Sequence, residues 1–165
     1  FGEAAGRQLA QSIARLPCLQ TLDLCSLPFG ASAAGQVAQS MPKLSELRTL
    51  QLSSLPFRGE AGRLLAQALA QLTALRALEL YRLPLGEDAG AQLAQSLANA
   101  PGLRDLQLYG LPLGEAAGRH LAESIASLPA LEKLTLLRLG VGKAGNAKIE
   151  GVTKDRDIDK SISAA

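Results

Sequence analysis

One histidine, two cysteines and a scatter of carboxylates are the side chains from which this chain of 165 residues could build a reactive centre. His120 would need further imidazole or thiolate ligands to hold a metal, and no Cys or second His accompanies it. Cys18 and Cys25 would need a base or a nearby cation to become reactive thiolates, and the sequence supplies neither beside them. If both lay on one strand, their seven-residue separation would hold the Cα atoms roughly 20 Å apart. A disulfide needs less than about 7 Å, so an intramolecular bridge is excluded on that reading. Free thiols point to a reducing, cytoplasmic setting. Glu3, Glu87 and Glu115 recur at one offset, Glu60 and Asp88 at the next, in phrases such as "GEDAG". They stand just before helical stretches, where a carboxylate complements the helix dipole and its free N–H groups. No glycine pattern of the phosphate-cradling kind occurs. The expectation is no catalytic residue, no metal and no cofactor.

The elements that would position any functional side chain come from a repeat. "ELYRLPLGEDAG" at 79–90 returns as "QLYGLPLGEAAG" at 107–118, a step of 28. Phe1, Phe29, Phe57, Leu85, Leu113 and Val141 continue that step through the chain. Counting from these residues, apolar side chains recur at +8, +12 and +15, as in Leu65, Leu69 and Leu72, or Leu121, Ile125 and Leu128. Spacings of four and three make one helix face. Ala10, Ala38, Ala66, Ala94 and Ala122 follow at +9, where small side chains let helices approach. Glycine holds +5 in Gly6, Gly62, Gly90 and Gly118, with Ala34 in the second repeat. The period then changes: Leu75, Leu78 and Leu80, followed by Leu83, read as a short strand with its turn. Each repeat is therefore turn, helix, loop and strand. One unit cannot bury its own leucines, but stacked units share a continuous core. Strands pair about 4.8 Å apart and helices pack about 8–10 Å apart, so the stack must curve.

The segment "LRALELYRLPLG" resembles the leucine-rich repeat pattern LxxLxLxxNxL through Leu75, Leu78, Leu80 and Leu85. With the 28-residue period and "GEDAGAQLAQSL", it is similar to the ribonuclease-inhibitor-like subfamily across residues 1 to about 145. The resemblance implies an α/β solenoid, a curved arc with a parallel sheet on its concave face and helices on its convex face. Five repeats would fill 1–140, and 141–165 would form a degenerate cap or a tail. There Thr153, Arg156 and Asp159 fall at offsets that carried apolar residues before. The chain departs from the family at the turn: Leu27, Leu55, Leu83, Leu111 and Leu139 stand where Asn is usual. Four of them precede proline, which removes a backbone donor, so the turn must be satisfied differently.

Composition narrows the function. The chain is 47% hydrophobic but 3% aromatic, so its interior is aliphatic, and its net charge of +2 is too mixed for a nucleic-acid surface. No apolar run approaches the ~20 residues of a membrane helix. The N-terminus has neither a signal-peptide pattern nor a Met and carries no visible cap, which suits a piece of a longer chain or self-association through that end. On the helices, His120 shares a column with Gln8, Gln36, Leu64, Gln92 and Lys148, and Arg7, Arg63 and Arg119 form another; both read as solvated faces. The variable strand positions then carry function: Thr21, Thr49, Ala77, Asp105 and Lys133; Asp23, Gln51, Glu79, Gln107 and Thr135; Cys25, Ser53, Tyr81, Tyr109 and Leu137; Ser26, Ser54, Arg82, Gly110 and Arg138. Tyr81 and Tyr109, in one column, are expected about 5 Å apart. With Arg82, Glu79, Asp105, Gln107, Leu137 and Arg138 they form the expected protein-binding surface. The leading expectation is a non-catalytic scaffold that holds a protein partner there. The alternatives are a recognition arm of a larger protein, such as an intracellular immune receptor or a bacterial effector linked to ubiquitin-ligase machinery, and an engineered or structural repeat.

Overall fold

The computed structural model describes residues 2–154, 156 and 158–163, which leaves Phe1, the expected start of the first repeat, outside the described residues. Helices and strands alternate throughout: α1 (Glu3–Ile13), β1 (Thr21–Cys25), α2 (Ala31–Ser40), β2 (Thr49–Ser53), α3 (Glu60–Leu69), β3 (Ala77–Tyr81), α4 (Glu87–Ser96), β4 (Asp105–Tyr109), α5 (Gly114–Ala126), β5 (Lys133–Leu137), α6 (Gly142–Thr153) and β6 (Asp159–Ser163). The strands form one parallel sheet in chain order, β1 to β6. From β1 to β5 the register steps by one repeat, so that Leu50 pairs with Leu22 and Leu78. The chain is an α/β solenoid of the leucine-rich-repeat type.

The period-2 leucines explain the layers. Leu50 and Leu52, Leu78 and Leu80, Leu106 and Leu108, and Leu134 and Leu136 are buried. The residues between them are exposed or half-buried. One sheet face therefore lies on the helices and the other is open. Each fully buried leucine contributes about 1.5–3 kcal/mol relative to exposure. The helices bury Leu65 and Leu69 in one repeat and Leu121 and Ile125 in another; the expected third members, Leu72 and Leu128, are buried too, but beyond the end of the helix. Glycine at +5 marks a close approach of backbone to backbone. A Cβ on Gly90 would lie 2.7 Å from Leu113 Cα, and one on Gly118 2.7 Å from Gly145 Cα.

The Leu-Pro turn holds itself by backbone. The N–H groups of Phe29, Phe57, Leu85 and Leu113 donate to the carbonyls of Leu27, Leu55, Leu83 and Leu111, each at 2.9 Å. These are i to i+2 bonds around proline, the pattern of a γ-turn. Leu55, Leu83 and Leu111 are buried in a row where the family has Asn.

Beyond Gly142 the offset of 28 fails. Asp159, which counting places below Leu131, pairs instead with Lys133, because the last segment is two residues shorter than its predecessors. Thr153 is buried and donates to Ile149 O at 2.9 Å, while the Arg156 guanidinium donates to the carbonyls of Ile125 and Leu128 at the end of α5. Lys160, opposite Leu134 in the inward row, donates to Thr153 O at 2.7 Å.

Candidate functional site

Every strand presents its first, third and fifth residues on the open face, because the second and fourth are committed to the core. The register sets Tyr81 beside Tyr109. Their rings stack with centroids 4.5 Å apart and planes 6° apart, close to the strand pitch of about 4.8 Å. The pitch holds them nearly face to face, although offset or edge-on pairing is the usual preference of aromatic rings. Tyr81 is 38% exposed and, among the described residues, shares that degree of exposure only with Leu16 among large apolar side chains.

Arg82 and Arg138 are not strand residues, as the sequence reading had them. β3 ends at Tyr81 and β5 at Leu137, and the arginines that follow have φ of 51° and 54°. Ser26 and Ser54 share the left-handed conformation at 49° and 52°, and Gly110 at 62°. The chain must leave the sheet here to enter the Leu-Pro turn, yet the ladder continues, since Arg82 N–H donates to Tyr109 O at 2.9 Å. The turn brings the guanidinium of Arg82 to 5.1 Å from the Tyr81 centroid and that of Arg138 to 5.9 Å from Tyr109. Both distances are within cation–π range.

A shallow groove of about 220 Å³ lies over Gln51, Ser53, Glu79, Tyr81, Gln107 and Tyr109. It gathers four of the expected site residues: Glu79, Tyr81, Gln107 and Tyr109. Arg82, Leu137, Arg138 and Asp105 lie outside its lining. Asp105 is already engaged, accepting from Gln107 Nε2 at 3.1 Å and pairing with Lys133 Nζ at 3.5 Å. Cys25 lines the same groove, and its thiol donates to Asp23 Oδ1 at 2.9 Å. That hydrogen bond, then burial, then the aspartate's charge push the thiol pKa up, away from thiolate character.

Cys18 lies in the turn before β1 rather than on the strand, and both cysteines are free and exposed. His120 shares a hydrogen bond of 3.1 Å with Gln95 and approaches Glu123 at 3.5 Å on the helical side. Glu3, Glu60, Glu87, Asp88 and Glu115 all stand in first helical turns, and Arg63 pairs with Glu60. Among the described residues no group of three or more His, Cys, Asp or Glu could hold a metal ion, and no helix is long and apolar enough to cross a membrane.

The sequence reading missed a column. Arg48, Arg76 and Arg104 immediately precede β2, β3 and β4, are all exposed, and recur at 28-residue steps. The step itself was the available signal.

No family model matches the chain, and no curated protein matches it by sequence. Among solved structures it is similar to the C-terminal domain of tropomodulin from Caenorhabditis elegans, with a TM-score of 0.66 over 88% of this chain and 91% of that one. The two share 11% sequence identity, so the likeness is one of fold: a leucine-rich-repeat-like stack of parallel strands and helices.

Proposed function

We propose that the chain is a non-catalytic protein-binding scaffold whose concave sheet holds a protein partner around Tyr81, Tyr109, Arg82 and Leu137. The observation that carries this reading is the stacked tyrosine pair on the open sheet face, with an arginine against each ring. Tyrosine and arginine dominate binding hot spots because they offer large contact area with a polar handle, and here the two kinds of side chain already lie against each other. The 28-residue period and the Leu pattern further support the ribonuclease-inhibitor-like type of repeat. The two free, exposed thiols suit a reducing cytoplasmic setting.

The test is affinity capture from lysate with the parent chain and with a Tyr81→Ser, Tyr109→Ser variant, circular dichroism confirming that both are folded. A hot-spot pair should cost at least about 2 kcal/mol, roughly thirtyfold in Kd, so the variant should lose a partner the parent retains. Equal capture by both would remove the aromatic patch from the binding surface.

A further inference from the structure

The side chains of the arginine column that precedes the strands lie outside the core. Thr49, Ala77 and Asp105 are neighbours in register, so Arg48, Arg76 and Arg104, one residue earlier, follow the same strand spacing, about 4.8 Å. Their backbones are tied across the repeats: Arg76 N–H donates to Arg48 O at 2.7 Å and Arg104 N–H to Arg76 O at 2.8 Å. The side chains are exposed and of one sign, an arrangement that repels itself. Among the described residues only Arg104 finds a countercharge, Glu132 at 3.2 Å. Arg48 and Arg76 make no ion pair among the described residues. Beside Arg48 and Arg76 the open face carries Thr49 and Ala77, side chains small enough for an incoming chain to lie flat, and beside Arg104 it carries Asp105, already paired with Lys133.

We propose that Arg48, Arg76 and Arg104 form a cationic rail that receives an acidic, extended segment of the protein partner, crossing β2 to β4 near their N-terminal ends. This deepens the concave-face reading above and rests on it. Guanidinium groups recognise carboxylates through paired, charge-assisted hydrogen bonds. An extended chain presents same-side residues about 6.6–7 Å apart, a spacing the long arginine side chains can meet from their closer pitch.

Phosphates could satisfy the same charge, but the surroundings favour a polypeptide. Asp23 and Glu79 stand further along their strands and Asp105 directly follows Arg104, held by Lys133; these carboxylates would repel a uniformly charged backbone, whereas a peptide can place its acids only where the arginines are. Single-stranded nucleic acid also needs open aromatic faces on which to stack bases. Tyr81 and Tyr109 instead stack on each other, and each has an arginine close by.

The test measures fluorescence anisotropy with a labelled peptide alternating Glu and Ser, a matched peptide alternating Gln and Ser, and a single-stranded oligodeoxynucleotide of equal charge. The parent chain should bind the Glu peptide and not the Gln peptide, and binding should fall as salt rises from about 0.05 to 0.3 M. Arg48→Gln with Arg76→Gln should weaken it at least about tenfold. The Tyr81→Ser, Tyr109→Ser variant should change it less than about threefold, since those rings lie at the far ends of the strands. Absence of Glu-peptide binding by the parent, undiminished binding by the arginine variant, or tighter binding of the oligonucleotide would each overturn the rail. The peptide assay reads the rail and lysate capture reads the aromatic patch, so the two proposals fail separately. Capture unaffected by the tyrosine change, beside Glu-peptide binding lost with the arginines, would reject the patch and keep the rail.

Discussion

Replacing Leu83 by Asn would give the turn the residue that the leucine-rich repeat pattern normally carries there, and it should destabilise this chain. Leu83 is fully buried, and Leu55 at 1% and Leu111 at 0% exposure hold the matching positions in the repeats on either side. Its carbonyl already accepts Leu85 N–H at 2.9 Å around Pro84, which has no N–H to offer. A turn that a side-chain amide would brace is braced here by backbone. An Asn at 83 would forfeit the leucine's burial, about 2–3 kcal/mol. It would also set an amide among aliphatic neighbours, at about 1–3 kcal/mol for the unsatisfied groups. The sum is about 3–6 kcal/mol. Leu83→Ala, which creates a cavity without a polar group, should cost about 2–5 kcal/mol, and Leu83→Met less than about 1.5 kcal/mol. Urea unfolding followed by far-UV circular dichroism gives the three midpoints, compared at unchanged slope. The expected order of stability is Met, then Ala, then Asn. An Asn variant as stable as the Met variant would show that the amide finds partners in the turn and would refute the aliphatic spine.

Two further outcomes follow from single contacts. We propose that residues 141–165 cap the stack; Arg156→Ala should then remove the charge-assisted bonds to the carbonyls of Ile125 and Leu128 and cost about 1.5–3 kcal/mol, with faster amide exchange in α6. Exchange in α6 that matches the parent would show that the guanidinium does not hold this segment. The raised pKa of Cys25 comes first from its bond to Asp23, so in a Cys18→Ser background Asp23→Ala should speed iodoacetamide alkylation at about pH 8 by enlarging the thiolate fraction. An unchanged or slower rate would remove Asp23 as the cause.

Helices and strands were legible because each depends on a spacing that sequence carries directly: four for Leu65 and Leu69, two for Leu78 and Leu80, although Leu72, read on the same helix face, falls beyond the helix end. The turn was legible only in part. Proline announced a missing donor, but not the bond that Leu85 makes to Leu83 in compensation. The left-handed residue after each of β1 to β5 was not read at all, since Ser26, Ser54, Arg82 and Arg138 are not residues that favour positive φ. The one hint was Gly110 in the same column. Asp159 was misplaced because counting by 28 cannot register a segment two residues short. The arginine column escaped because columns were read on the helices and within the strands, whereas Arg48, Arg76 and Arg104 stand one residue before the strands begin.

The cross-strand pairings are not spread evenly along the sheet, and this bears on how a partner would sit. Tyr81 stacks on Tyr109, Asp105 holds Lys133, and Arg104 holds Glu132, so the cross-strand pairs fall on β3, β4 and β5. Toward β2, Arg48 and Arg76 have no ion-pair partner among the described residues. Breaking an existing pair to make a new one returns little, because the lost contact offsets the gain. The net electrostatic gain therefore concentrates at Arg48 and Arg76, while the apolar contact concentrates at the tyrosines on β3 and β4. A partner that satisfies both must lie diagonally, its acidic residues over the N-terminal ends of β2 and β3 and its apolar residues over the C-terminal ends of β3 and β4. Such a diagonal permits one orientation of the partner, because reversing the chain would bring carboxylates to the groove beside Glu79.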